Sequence, residues 1–145
     1  MIVYTGGTFD LLHVGHLELL RELRRVVGHS GSLVASVNRD EFVERYKGRP
    51  PIQPLSERIE MVRACRFVDA VVVNIGDEDS RVAIEVVAPD VIGIGTDWLD
   101  PDHDERRYHA QLGVTPDWLS DRGIRIEYIP RTRGRSSSAM RGSAP

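Results

Sequence analysis

At 145 residues, with 19 lysines and arginines against 22 aspartates and glutamates, the chain has the size of one domain and a formal charge of −3. That balance excludes the strongly basic footprint of a nucleic-acid binder, and the longest aliphatic run, residues 70–73, falls far short of the ~20 apolar residues that a membrane-spanning helix needs. Asp10, Glu18 and Glu22 interrupt any secretory apolar run and Cys65 is the only cysteine, so a cytoplasmic protein without an intrachain disulfide is expected.

Short aliphatic runs alternate with helical stretches, the pattern of βαβ units around a parallel sheet. Residues 2–5 are predicted as the first strand, running into Gly6-Gly7. A helix follows over 14–27, with Leu17, Leu20, Leu23 and Val27 on one face and Glu18, Arg21, Glu22 and Arg25 on the other. The second strand is predicted over 33–37. Residues 45–54 are basic and proline-rich and read as a flexible loop. Next come a helix over 55–65 carrying Ile59, Met61 and Val62, a third strand over 70–73, a helix over 81–87 stopped by Pro89, and a fourth strand over 91–94. Residues 99–114 hold Asp100, Asp102, His103, Asp104, Glu105 and His109 and read as a polar excursion. Thr115 is predicted to cap a short helix that opens with Pro116 and runs through Leu119. Residues 124–129 alternate apolar with polar, as a more exposed fifth strand would. Right-handed crossovers turn this order into an α/β fold, a doubly wound, Rossmann-like parallel five-stranded sheet with helices on both faces. One domain is expected over 1–141, with 142–145 a short flexible tail. Ligands of such sheets bind beyond the carboxyl ends of the strands, where the unusual residues of this chain cluster.

The densest chemistry lies in Gly6-Gly7-Thr8-Phe9-Asp10-Leu11-Leu12-His13-Val14-Gly15-His16. A strand ends in glycines, and a tight loop delivers His13 and His16, three positions apart, to a helix N-terminus. That end offers free amides and partial positive charge, an anion site, and Gly15 removes a side chain where a ligand would approach. Two plainer readings compete: surface histidines that cap the helix, or a His-x-x-His metal pair. Zinc lacks a third ligand nearby in sequence, unless His103, His109 or a carboxylate supplies it.

The segment resembles the nucleotidyltransferase superfamily that carries the His-x-Gly-His signature, and within it the glycerol-3-phosphate cytidylyltransferase group. A second stretch, Arg131-Thr132-Arg133-Gly134-Arg135-Ser136-Ser137-Ser138, is similar to that group's closing motif, Arg-Thr-x-Gly-Ile-Ser-Thr-Thr. The resemblance covers residues 1–141. It implies that a phosphate monoester attacks the α-phosphate of a nucleoside triphosphate and displaces pyrophosphate, with no covalent enzyme intermediate. Catalysis of that kind is positioning and charge stabilisation.

On this resemblance His13 and His16 donate to the triphosphate as charge builds, and Thr8 and Phe9 hold phosphates through the loop backbone. Asp10 orients the histidine loop, and Gly15 gives access to the nucleotide. Mg²⁺ would arrive with the triphosphate. Thr132, Ser136, Ser137 and Ser138 form a second phosphate cradle, and the planar fork of Arg131 pairs with phosphate. Lys47 matches a family lysine that reaches the phosphates and the attacking substrate. Arg49 and Arg58 are further substrate-binding candidates. Against these, a solvated basic loop accounts for Arg49, and helix-surface ion pairing for Arg58 and for Arg66 of the Arg66-Phe67-Val68-Asp69 segment. Gly95-Thr96-Asp97-Trp98 resembles the family's Gly-Asp-Asp-Trp, which implies that Asp97 holds the loop or the base end of the nucleotide; a plain strand-to-loop turn is the competing account.

The chain departs from the pattern at Arg135, which replaces isoleucine, and in the long 99–114 excursion, a candidate lid or acceptor wall. The expected reaction joins CTP to a small phosphoalcohol such as glycerol 3-phosphate, phosphocholine, phosphoethanolamine or a sugar phosphate. An adenylyltransferase using ATP and a non-catalytic nucleotide sensor are the alternatives. A homodimer is expected from the family, and neither a G-x-G-x-x-G nor a P-loop motif is present.

Overall fold

The computed structural model describes residues 1–99 and 102–130. In chain order the elements are β1 (Ile2–Gly7), α1 (Val14–Val27), β2 (Ser32–Asn38), α2 (Asp40–Lys47), α3 (Leu55–Arg63), β3 (Ala70–Asn74), α4 (Arg81–Val87), β4 (Val91–Gly95), α5 (Arg106–Leu112), α6 (Pro116–Asp121) and β5 (Arg125–Ile129), with a 3-10 turn over Thr96–Trp98. All strand pairs are parallel and the strand order is β3-β2-β1-β4-β5. The chain therefore starts in the middle of the sheet, winds outward to β3, then crosses back to β4 and β5. The doubly wound α/β fold is the one its alternating pattern predicts.

Successive β1 side chains point to opposite faces. Val3 packs with Leu19, Leu20 and Leu23 of α1 and Val62 of α3. Tyr4 packs on the other face with Ile84 of α4, Tyr108 and Leu112 of α5, and Leu119 of α6. Both faces being covered, β1, β2 and β4 read as nearly unbroken apolar runs. Gly93 belongs to this packing, because a Cβ there would stand 2.2 Å from Leu23 Cδ2, so α1 rests directly on the β4 backbone. Asp69 stitches the far end of the sheet: its Oδ2 accepts from the Leu33 N–H at 2.7 Å and pairs with Arg24. That is the role of the Arg66–Asp69 segment here, with Phe67 O accepting from Arg24 Nη2 at 2.9 Å.

Two expectations are corrected. Residues 45–47 are not loop but the end of α2, an amphipathic helix that buries Phe42 and Val43 and stops at Gly48, whose φ of 78° suits a left-handed helix cap. The 99–114 excursion likewise contains a helix, α5, because Tyr108 and Leu112 fall on one face four residues apart and bury against the sheet. Its end is pinned by the Ser80 N–H, which donates to Leu112 O at 2.9 Å. The helix predicted over 55–65 ends at Arg63, while Thr115 caps α6 as predicted, accepting from the Trp118 N–H at 3.1 Å. Among the described residues no helix is long and apolar enough to cross a membrane.

Candidate active site

The carboxyl ends of β1 and β4 open into a cleft of about 360 Å³. Its walls bring together Gly6, Gly7, Thr8, Phe9, Asp10 and His16 from the β1–α1 turn, Lys47 from α2, and Asp97 from the turn after β4. These residues come from segments separated by more than half the chain, yet the strand order places all of them at one rim of the sheet.

The β1–α1 loop is shaped by unusual backbone. Phe9 and Leu11 hold φ values of 53° and 52°, left-handed conformations that cost a non-glycine residue about 1–2 kcal/mol each. At Gly7 a Cβ would approach the Phe9 ring to 3.1 Å, so a larger residue there would crowd that ring. The strain is held by fixed partners. Asp10 accepts from the Ile52 N–H at 2.8 Å and the Gln53 N–H at 2.9 Å, while Gln53 Oε1 accepts from the Leu11 N–H at 2.9 Å. Asp10 thus orients the loop, and residues 52–53 are tied down rather than flexible.

His13 is the N-cap of α1 in extended conformation, so it precedes the helix rather than riding on its first turn. Its Nδ1 accepts from the Gly15 N–H at 3.0 Å, and His16 Nδ1 accepts from the His13 N–H at 3.1 Å. With both Nδ1 atoms accepting, a neutral ring carries its proton on Nε2, so each imidazole has its N–H at that nitrogen, buried in His13. The rings lie 3.9 Å apart between centroids; His16 lines the cleft and the buried His13 backs it. Gly15 is buried beneath them. The capping function and the donor function therefore coexist in the same two side chains.

Arg58 is not placed to meet a substrate. It is 0% exposed, and its guanidinium donates to Thr8 O at 2.8 Å, Asn38 O at 2.7 Å and Gln53 O at 3.0 Å while pairing with Asp40. Its planar fork holds the β1–α1 loop, the end of β2 and the turn before α3 together, which corrects the substrate-binding expectation. Arg49 is exposed and outside the cleft lining. Lys47, the last residue of α2, lies with its Nζ 5.7 Å from the Tyr46 ring. The Thr8 and Tyr46 hydroxyls share a hydrogen bond of 2.7 Å. Arg107 stacks over Trp98 at 4.8 Å and donates to Asp97 O at 2.7 Å. Arg131, Thr132, Ser136, Ser137 and Ser138 lie outside the described residues.

Several cleft residues carried no motif in the sequence: Tyr4, Asn38, Tyr46, Ser80, Tyr108 and Gln111. Only helical spacing, Phe42 with Tyr46 and Tyr108 with Leu112, signals the helices that bring some of them in. Asp77 anchors the same rim, accepting from Arg39 and Arg45, which hold its carboxyl below the usual carboxylate range. No group of three or more His, Cys, Asp or Glu among the described residues could cage a metal ion.

A cytidylyltransferase-like family model matches residues 4–143. The FAD synthase of Pyrococcus abyssi is 43% identical over 95 residues, 66% of this chain and 62% of that protein, so the shared part spans under two thirds of the relative's length. The FAD synthase of Korarchaeum cryptofilum is 34% identical over 145 residues, covering 95% of this chain and 87% of that one. Among solved structures, the lipopolysaccharide core biosynthesis protein of Thermoplasma volcanium matches with a TM-score of 0.65 and 26% identity, covering 91% of this chain and 96% of that chain. With a family match across nearly the whole sequence, and paired imidazoles capping the helix that opens at β1, the chain belongs to the cytidylyltransferase-like family of the His-x-Gly-His superfamily and is a nucleotidyltransferase.

Proposed function

We propose that this chain transfers an adenylyl group from ATP to the phosphate of a small phosphate monoester and releases pyrophosphate. The observation that carries the transfer is the pair of imidazoles at a helix mouth whose Nδ1 atoms accept from backbone N–H groups, which puts the proton of each neutral ring on Nε2. ATP is favoured over CTP by the FAD synthases, whose product contains an adenylyl group. The CTP expectation rests on the closing motif at Arg131–Ser138.

An oxygen of the acceptor phosphate forms a bond to the α-phosphorus as the bond from that phosphorus to the bridging oxygen breaks. Pyrophosphate carries the electron pair away. His13 and His16 donate to oxygens on which charge accumulates, Thr8 and the loop amides hold the triphosphate, and Lys47 attracts the acceptor phosphate. Magnesium arriving with the triphosphate would neutralise part of its charge. The resemblance of the closing motif supports Arg131, Thr132, Ser136, Ser137 and Ser138 as further phosphate-binding groups, and that of Gly95–Trp98 supports Asp97 as holding the loop or the base end of the nucleotide. A single unit over 1–141, a homodimer and a cytoplasmic location complete the reading.

Pyrophosphate release tests it, with ATP and CTP in turn, magnesium, and FMN or glycerol 3-phosphate as acceptor. Faster release with ATP is expected. Release with CTP alone would restore the cytidylyl alternative, and nucleotide binding without release would favour the sensor.

A further inference from the structure

One wall of the cleft takes no part in the phosphate chemistry. Tyr108 of α5 is 2% exposed, and its hydroxyl has no hydrogen-bond partner among the described residues. Burial pushes that phenol well above its ordinary pKa of 10.0, and pushes Tyr4 beside it up to about 12. The Tyr4 hydroxyl reaches to 3.6 Å from where a Cβ on Gly6 would stand, so it lies along the floor of the cleft. Asn38 and Ser80 continue the wall, joined through Asn74, whose Nδ2 donates to Asn38 Oδ1 at 3.1 Å. Asn74 Oδ1 is likewise buried with no partner among the described residues, and Gln111 completes the surface.

The polar groups of Tyr4, Asn38, Ser80, Tyr108 and Gln111 on this wall are neutral phenol, amide and hydroxyl, with Arg107 and Asp97 lining the cleft beside them. Buried polar groups without partners cost free energy unless a ligand satisfies them. The matching ligand offers several neutral groups that both donate and accept, which is the chemistry of a hydroxylated carbon skeleton. A flat ring system finds less here, because Trp98 is already stacked by Arg107 at 4.8 Å, and Phe42 packs on Tyr46 at 4.9 Å. The wall's position also matters. The histidines open α1, which packs on one face of the sheet, whereas Tyr108 belongs to the core of the other face. Displacement at phosphorus sets the entering and leaving oxygens roughly in line, so an acceptor opposite the histidines enters from the α5 side.

We propose that this wall binds the acceptor, that the acceptor is a polyhydroxylated phosphate monoester, and that Tyr108 reads its hydroxyls. The inference rests on the nucleotidyl-transfer reading above but not on the choice of ATP or CTP. A free sugar or polyol phosphate and the ribityl phosphate of a flavin mononucleotide share this chemistry.

The test is steady-state pyrophosphate release by the full chain and by its Tyr108→Phe variant, with glucose 1-phosphate, glycerol 3-phosphate, FMN, phosphocholine and phosphoethanolamine as probes. Hydroxylated probes are expected to be used, the first two or FMN according to source, with phosphocholine and phosphoethanolamine at least about tenfold poorer in kcat/KM. Tyr108→Phe should raise the KM of the best acceptor about five- to tenfold and leave the KM for the triphosphate unchanged. It should also raise the melting temperature of the ligand-free protein, since it removes a buried hydroxyl that lacks a partner. A purely structural tyrosine would lose stability and leave KM alone. Preference for phosphocholine, a shift confined to the triphosphate, or an unmoved acceptor KM would overturn the assignment. Calorimetric binding of a non-hydrolysable ATP or CTP analogue separates the two readings. Binding without use of any hydroxylated probe overturns the acceptor wall alone, and absence of binding overturns the nucleotide reading and the wall with it.

Discussion

Gln53 clasps the loop that precedes α1 from two sides: its backbone N–H donates to Asp10 Oδ1 at 2.9 Å, and its side-chain Oε1 accepts from the Leu11 N–H at the same distance. This reciprocal pair holds the two left-handed residues, Phe9 and Leu11, that aim the loop at the cleft. Asp10→Asn would set an amide NH₂ against one of the two N–H donors that Asp10 now accepts. The expected result is a loss of about 1–3 kcal/mol in stability, with a lower kcat/KM for the triphosphate. Denaturant unfolding and pyrophosphate release measure the two effects, and a variant indistinguishable from wild type in both would remove the clasp from the account.

His13→Asn separates capping from chemistry. Asparagine is among the best N-cap residues, so the variant should melt within a few degrees of wild type. It lacks the Nε2 donor, and turnover should fall by ~10² or more. His13→Ala should lose the donor and also about 1 kcal/mol of cap stability. Thermal melts beside pyrophosphate release distinguish these outcomes, and full activity in His13→Asn would reject the donor role.

Arg58→Met leaves the Asp40 carboxylate without its guanidinium partner and strips Thr8 O, Asn38 O and Gln53 O of a charged donor. Breaking such a buried arrangement costs about 3–5 kcal/mol, measurable as a fall in the urea midpoint. A loss under 1 kcal/mol, on the scale of an exposed ion pair, would contradict the role assigned to Arg58.

The acid limb of stability should depend on Asp69 and Asp77. The Leu33 N–H and then Arg24 hold Asp69 below its ordinary 3.8, and Arg39 and then Arg45 do the same for Asp77. The folded state therefore binds these protons more weakly than the unfolded chain does. Their stabilisation is complete above the ordinary value and is lost as pH falls through it toward the lower folded value. Unfolding free energy should decline below about pH 4, and the decline should be shallower in Asp69→Asn. A wild-type profile flat down to about pH 2 would rule this out.

The strands and the first helix were legible because their apolar periods are strong: α1 spans the predicted residues, and β1 to β4 differ from expectation only at their ends. The β1–α1 turn was legible from Gly6-Gly7 and the spacing of His13 and His16. What escaped was short or chemically ambiguous. Residues 45–54 mix arginine, lysine and proline, and only Phe42 and Val43 upstream reveal that α2 runs through Lys47. Polar residues before Arg106 masked α5, so Tyr108, a principal residue of the cleft wall, was signalled only by its helical spacing to Leu112. Arg58 was misplaced for a physical reason: sequence does not tell an arginine that meets a phosphate from one spent on backbone carbonyls, since both need the same fork.

The burial of Arg58 has a consequence for how the enzyme fails on heating. Many catalytic loops melt locally and lose activity well before the domain unfolds. Here the carbonyls of Thr8, Asn38 and Gln53 converge on one inaccessible guanidinium, so the loop cannot detach without opening the interior beside β2. Thermal inactivation and calorimetric melting should accordingly coincide, with no warm interval in which a folded but idle molecule accumulates.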